Sequence, residues 1–190
     1  MSEASGLMEV PAHLAPAPVR AALSVDTLYR RYHETVYRIA LRYGRGNSAW
    51  AEDVTQEVFI GLFDVVDRLD PRQGLEAWFY RVTINRCLNR LRRERVRDAA
   101  PVRWLLGRSA REPVDPERMT AARQGLAQAW SVLDQLPPKE RVAFCMYYLD
   151  GKPQAEIGEI LGHGKSYICK LIKRAEQRVR ELGWEVEARG

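Results

Sequence analysis

The stretch that decides the fold is Pro153–Leu182, PQAEIGEILGHGKSYICKLIKRAEQRVREL. It reads as helix, tight turn, helix, with Gly162-His163-Gly164 supplying the sharp turn. At 100° per residue from Ser166, the side chains of Ile168, Leu171, Ile172, Ala175, Val179 and Leu182 fall in one sector. Ser166, Lys170 and Lys173 point the opposite way, with Arg174 further round. One face is core and the other is a cationic, hydrogen-bonding stripe. Such a helix fits the DNA major groove, where Lys and Arg reach phosphates and guanine edges. A surface helix with ordinary solvated lysines gives the same wheel, so this motif alone does not separate the two. Gly164-Lys165-Ser166 also imitates the end of a phosphate-binding loop. That loop needs a glycine at position 159 and a strand ahead of it. Position 159 is Glu, and the preceding spacing is helical.

Working outward, helical spacing recurs along the chain. Val25, Leu28, Tyr32, Val36, Ile39 and Tyr43 predict a first helix that ends at Gly44 and Gly46. Asn47 or Ser48 caps a second, with Trp50, Val54, Val58, Leu62, Val65 and Leu69 on one stripe. Asp70-Pro71-Arg72-Gln73-Gly74 reads as a loop. A third helix starts near Leu75, carries Trp78, Val82, Leu88 and Leu91, and runs into a cluster of arginines. Trp50 and Trp78 sit on apolar stripes and are expected in the core. Residues 1–23 are rich in Ala and Pro and read as a mobile tail, and 98–116 as a linker whose Trp104-Leu105-Leu106 is apolar enough to dock. A further helix is expected from near Glu117, with Met119, Ala122, Leu126, Ala129 and Leu133 on one side. Another starts at Pro138 and stops at Asp150-Gly151. No strand pattern appears. The fold expected is all-α: two small helical domains, 24–97 and 117–190, joined by the linker.

Of 190 residues, 46% are hydrophobic, enough for a core, and 30 Lys and Arg exceed 25 Asp and Glu by five. The charge is unevenly placed. Residues 45–76 hold seven acids and three bases, and residues 81–97 hold seven arginines and one acid. An acidic surface followed by a basic one suggests two different partners, the second polyanionic, unless both are simply solvated helix faces. No apolar run reaches the roughly 18 residues of a membrane span, and no secretory signal is expected. Cys87, Cys145 and Cys169 are far apart and form no CxxC, and the three histidines are equally scattered. No metal site, cofactor or disulfide framework is expected, and a reducing, cytoplasmic setting is. No nucleophile, base and acid set for catalysis stands out.

Two blocks carry a resemblance. AEDVTQEVFIGLFDVVDRLD at 51–70, followed by LEAWFYRVTINRCLNRLRRERVR at 75–97, resembles region 2 of the extracytoplasmic-function (ECF) group of bacterial RNA polymerase sigma factors. LPPKERVAFCMYYLDGKPQAEIGEILGHGKSYICKLIKRAEQRVREL at 136–182 resembles region 4 of the same group. The order of the blocks and the short connection between them fit that two-domain group. The resemblance implies a non-catalytic factor that binds core RNA polymerase and promoter DNA and is commonly held inactive by an anti-sigma protein. It implies that Asp53, Gln56, Glu57 and Asp64 dock on the polymerase. It gives the downstream promoter element to Arg72, Gln73 and Gly74, which capture a flipped base, and to Asn85, Arg86, Asn89, Arg90 and Arg93 beside them. It gives the upstream element to Lys165, Ser166, Tyr167, Cys169, Lys170, Lys173 and Arg174. His163, Gly164, Cys169 and Leu171 depart from the group's usual residues, so the base sequence read is this chain's own.

Overall fold

The computed structural model describes residues 24–70, 74–98 and 121–184. The tail 1–23, most of the 98–116 linker with Trp104-Leu105-Leu106, and the loop residues Arg72 and Gln73 lie outside the described residues. Among the described residues the regular elements are all helical.

Helix α1 (Val25–Tyr43) buries Leu28, Tyr32, Val36, Ile39, Ala40 and Tyr43. It stops where Arg45 and Gly46 both take positive φ, a turn to which glycine is suited. Gly44 lies so close to the Trp50 ring that a Cβ there would sit 2.5 Å from it. Helix α2 (Ser48–Phe63) is capped by Asn47, whose side-chain oxygen accepts from the Trp50 backbone N–H at 2.9 Å. The apolar stripe predicts continuation to Leu69. Instead the helix ends at Phe63 and Val66–Arg68 forms a single 3-10 turn. Two adjacent β-branched residues, Val65 and Val66, crowd a further helical turn. The Arg68 guanidinium takes up the orphaned Asp64 carbonyl at 2.7 Å. Val65, Val66 and Leu69 still pack on the core, so the stripe marks burial rather than helix. Helix α3 (Leu75–Asp98) begins after Gly74, whose φ of 71° favours glycine.

The second half comprises α4 (Ala121–Gln135), α5 (Pro138–Tyr148), α6 (Gln154–Leu161) and α7 (Lys165–Glu181). Leu126 is not on a buried stripe as expected. It is 58% exposed, and α4 reaches the core only through its last turn, with Val132 and Leu133. Between α6 and α7, Gly162 takes the left-handed conformation and the His163 N–H closes on the Gly158 carbonyl at 2.8 Å. Leu182, expected on the apolar stripe of α7, follows the helix and is exposed.

Helices α1–α3 enclose one cluster of their own, built on Leu28, Tyr32, Val36, Phe59, Leu62 and Phe79. The opposite end of the same bundle is different. Tyr43, Trp50, Ile84, Cys87 and Leu91 belong to a second cluster that continues without a break through Leu136, Val142, Met146, Ile157 and Ile172. The two helical units therefore share a core, which the sequence pattern did not foretell.

Polar groups lock this junction. The Asp150 carboxylate, whose side chain is 4% exposed, accepts from the hydroxyls of Tyr43 and Tyr80, each at 2.6 Å, and pairs with Arg42. Burial is the largest cause that pushes both phenols far above their ordinary range, so they remain donors. Arg141 donates to the Tyr43 carbonyl at 2.7 Å and to Asp134 at 2.6 Å, and Asp134 also pairs with Arg45. Arg95 donates to the Leu136 carbonyl at 3.0 Å.

The turn between α6 and α7 leaves no room for a side chain at position 158. A Cβ on Gly158 would stand 2.4 Å from the His163 carbonyl oxygen, a backbone atom that cannot step aside alone. Gly158→Ala is expected to lower stability by about 1–3 kcal/mol, an overpacking cost. Thermal unfolding followed by circular dichroism will show the drop, and an unchanged midpoint would refute the tight approach.

Candidate nucleic-acid interface

On α7 the wheel read from sequence holds. Ile168, Leu171, Ile172, Ala175 and Val179 are buried against α5 and α6. Lys165, Ser166, Tyr167, Lys170, Lys173 and Arg174 are exposed, and Cys169 is half-buried beside them. No ion pair among the described residues engages Lys165, Lys170, Lys173 or Arg174. Farther along, Arg178 reaches Glu140 at 3.1 Å and Arg180 reaches Glu176 at 3.9 Å. The helix thus ties its last turns to the fold and leaves its first turns cationic and unneutralised. At its start, the His163 and Tyr167 rings lie 4.6 Å apart, and the Lys139 ammonium stands 3.2 Å from His163 Nε2. The segment before Gly164 is helix α6, so the strand–loop–helix setting of a nucleotide-binding loop is not what precedes Lys165 and Ser166.

The acidic and basic segments are less independent than the sequence suggests. Arg90, its side chain 22% exposed, lies over the Trp50 ring and reaches Asp53 at 2.7 Å, with Glu57 and Glu94 each at 3.8 Å. Glu94 is itself buried and accepts from the Trp50 indole N–H at 2.8 Å. Arg93 reaches Glu57 at 3.5 Å. Helix α3 therefore spends part of its arginine cluster on the carboxylates of α2. Arg86 and Asn89 remain exposed and line the groove between α2 and α3 with Arg92 and Arg93. Asn85 is half-buried, and Gly74 is exposed at the head of α3.

On α2, Asp53, Gln56 and Asp64 are exposed and Glu57 is half-buried, so these four side chains share the outward face. Two residues passed over in the sequence stand with them. Ile60 is 67% exposed and Phe63 65% exposed. They follow Gln56 by four and seven residues, which puts them on the same helix face. An outward Ile and Phe beside carboxylates is the composition of a protein-binding patch rather than of a solvated helix.

Two predictions separate structural from binding roles. Arg90→Ala strips a partly buried guanidinium from three carboxylates and a ring, and should cost about 2 kcal/mol in urea unfolding. Lys173→Ala, on an unpaired exposed cation, should stay within about 0.5 kcal/mol. Equal, small effects would mean that Arg90 is not a structural group. Among the cysteines, Cys87 and Cys145 are buried, and burial pushes both thiols up, Cys145 to about 12. Native alkylation with iodoacetamide, read by mass spectrometry, should modify Cys169 well ahead of the other two. Equal labelling of Cys145 would contradict the shared core.

Comparison with known proteins agrees with this geometry. Residues 28–97 match the family model for Sigma-70 region 2, and residues 132–181 the model for Sigma-70, region 4. The chain is 35% identical over 160 residues to the ECF RNA polymerase sigma factor SigE of Mycolicibacterium smegmatis, covering 83% of this chain and 61% of that protein. It is 27% identical over 158 residues to the ECF RNA polymerase sigma factor SigM of Mycobacterium tuberculosis, covering 83% and 76%. Among solved structures, CnrH in complex with the cytosolic domain of CnrY aligns with a TM-score of 0.53 at 22% identity, covering 83% of this chain and 86% of that one. The sigma factor RpoE bound to the anti-sigma factor NepR, from Bartonella quintana, aligns with a TM-score of 0.57 at 18% identity, covering 83% and 94%. At those identities the likeness is one of fold. With both region models matched in order along one chain, and relatives of that group aligned across both, the chain belongs to the ECF group of the sigma-70 family.

Proposed function

We propose that this chain binds core RNA polymerase and directs it to a class of promoters, reading the upstream element with α7 and the downstream element with the α2–α3 unit. The observation that carries the reading is the row of unpaired cations on the first turns of α7, backed by a fully apolar opposite face. A buried face fixes the helix rigidly, and an unneutralised outer face is what a polyanion selects. Lys170, Lys173 and Arg174 contact bases or phosphates, with Lys165, Ser166, Tyr167 and Cys169 along the same edge. Polymerase docks on Asp53, Gln56, Glu57 and Asp64, and we add Ile60 and Phe63 to that surface. Carboxylates facing basic residues steer encounter, and the apolar pair supplies the area that holds the complex.

For the downstream element we assign base capture to the loop with Arg72, Gln73 and Gly74. Backbone and edge contacts fall to Asn85, Arg86, Asn89 and Arg93. Arg90 acts here through its carboxylate partners, by fixing the row in which its neighbours stand. Unstacking a base costs a few kcal/mol, which a pocket and nearby cations offset. The factor works without catalytic chemistry, metal or cofactor of its own, and in the cytoplasm. No described helix is long and apolar enough to cross a membrane. An anti-sigma protein is a further partner. Its support is the likeness of fold to CnrH and RpoE, each solved with such a partner or with the domain of one.

Run-off transcription with core polymerase over a promoter library tests the whole reading. Promoter-specific transcripts that depend on adding the chain are expected. Binding to operator-like DNA without polymerase, and no stimulation of transcription, would instead make it an autonomous regulator. Within that assay, Lys170→Ala with Lys173→Ala should weaken promoter binding and lower the salt slope by about one for each phosphate no longer neutralised. Phe63→Ser should weaken capture of core enzyme while leaving the melting midpoint in place. Undiminished capture by Phe63→Ser and Gln56→Ala together would remove this face from the docking surface.

A further inference from the structure

The junction between the two helical units poses a geometric problem for the proposed reading, on which this inference rests. Helix α3 packs on α5 and α6, and α7 packs on the far side of those same helices. Each helix layer adds about 8–10 Å, so α3 and α7 lie about 20 Å apart across the junction. Grooves on one face of a DNA duplex recur every 34–36 Å or so. Two modules held this closely cannot each seat a helix on the same face of one duplex. Opening is within reach of the chain. The 22 residues between Asp98 and Ala121 span at most about 75 Å when extended.

The chemistry of the junction is suited to opening. Its centre is apolar, but its lock is polar. Asp150 comes from the turn after α5, and its partners Arg42, Tyr43 and Tyr80 come from α1 and α3. The Lys152 ammonium stands over the Tyr80 ring at 4.9 Å, beside the same contact. A second lock joins Asp134 to Arg45, with Arg141 reaching across to the Tyr43 carbonyl. Each of these groups is fully hydrated once the halves part, so separation exposes no polar group that water cannot satisfy. Interfaces between domains that move are of this mixed, partly polar kind.

We propose that this junction is a latch pinned by Asp150. The free chain rests closed, with its two DNA-reading helices too close together for a two-element promoter, and engagement of polymerase releases it. The latch makes the free factor a poor promoter binder even though the cationic face of α7 stays exposed. Binding to two-element DNA is then reduced by the fraction of molecules that are open.

The test uses the full chain with Asp150→Ala, and with the milder Asp150→Asn and Tyr80→Phe in case the first fails to fold. Small-angle scattering reads the shape of each, and fluorescence anisotropy reads affinity for the promoter selected by transcription and for a duplex carrying its upstream element alone. Wild type should scatter as a closed particle and the variants as longer ones. Affinity for two-element DNA should rise at least about tenfold, the gain when an open fraction of a tenth or less becomes dominant. Affinity for the single element should stay unchanged, a split that mere loss of structure would not give. Cooperatively melting variants that keep the wild-type shape and show no selective gain would overturn the latch. If wild type and variants alike bind neither DNA, the promoter-reading assignment falls, and the scattering alone decides the latch.

Discussion

The arrangement of this molecule turns on one carboxylate. Asp150 sits in a turn of the second helical unit, yet the groups that make its burial tolerable belong to the first: two tyrosine hydroxyls and an arginine, each 70 or more residues away in sequence. A buried carboxylate without partners is prohibitively costly. The second unit can keep Asp150 out of water only while α1 and α3 lie against it. That dependence, with the apolar cluster running from Trp50 to Ile172 beneath it, joins two halves that the family models match separately.

The same reasoning revises how the charge pattern works. Read along the chain, an acidic stretch and a basic stretch promise two faces for two partners. In three dimensions part of each is consumed by the other, because Arg90 stands among Asp53, Glu57 and Glu94 and over Trp50. What remains for partners is smaller and better defined: on α2, polar side chains joined by Ile60 and Phe63, and on α3, Arg86, Asn89 and the outer arginines. Helix α7 differs because its opening turns meet no carboxylate, so its charge is available in full to a polyanion.

Much of this was legible in the sequence, and the reasons for the misses are physical. Helices α1 and α7 announce themselves because their apolar residues keep helical spacing and their opposite faces are polar. Asn47, Pro138 and Gly162 mark ends because capping, proline and left-handed geometry are local properties. The end of α2 was hidden, since Val65 and Leu69 are buried by packing and continue the stripe without continuing the helix. Leu126 keeps the spacing of a core residue, but no other helix covers that part of α4. On the candidate surfaces, the lysines of α7 could be read from the wheel. Ile60 and Phe63 were hidden in an apolar run whose outward members only the bundle reveals. Asp150-Gly151 looks like any turn, because nothing local says that Tyr43 and Tyr80 wait for its carboxylate.

The closed junction in the free chain is the claim on which the rest leans, and NMR relaxation of backbone nitrogen tests it most directly. In the wild-type chain without polymerase, amides of α1–α3 and of α5–α7 should report one shared rotational correlation time, as a single tumbling body requires. In the Asp150→Ala chain the two sets should separate into shorter, unequal times. Independent tumbling of the two halves already in the wild type would contradict the account.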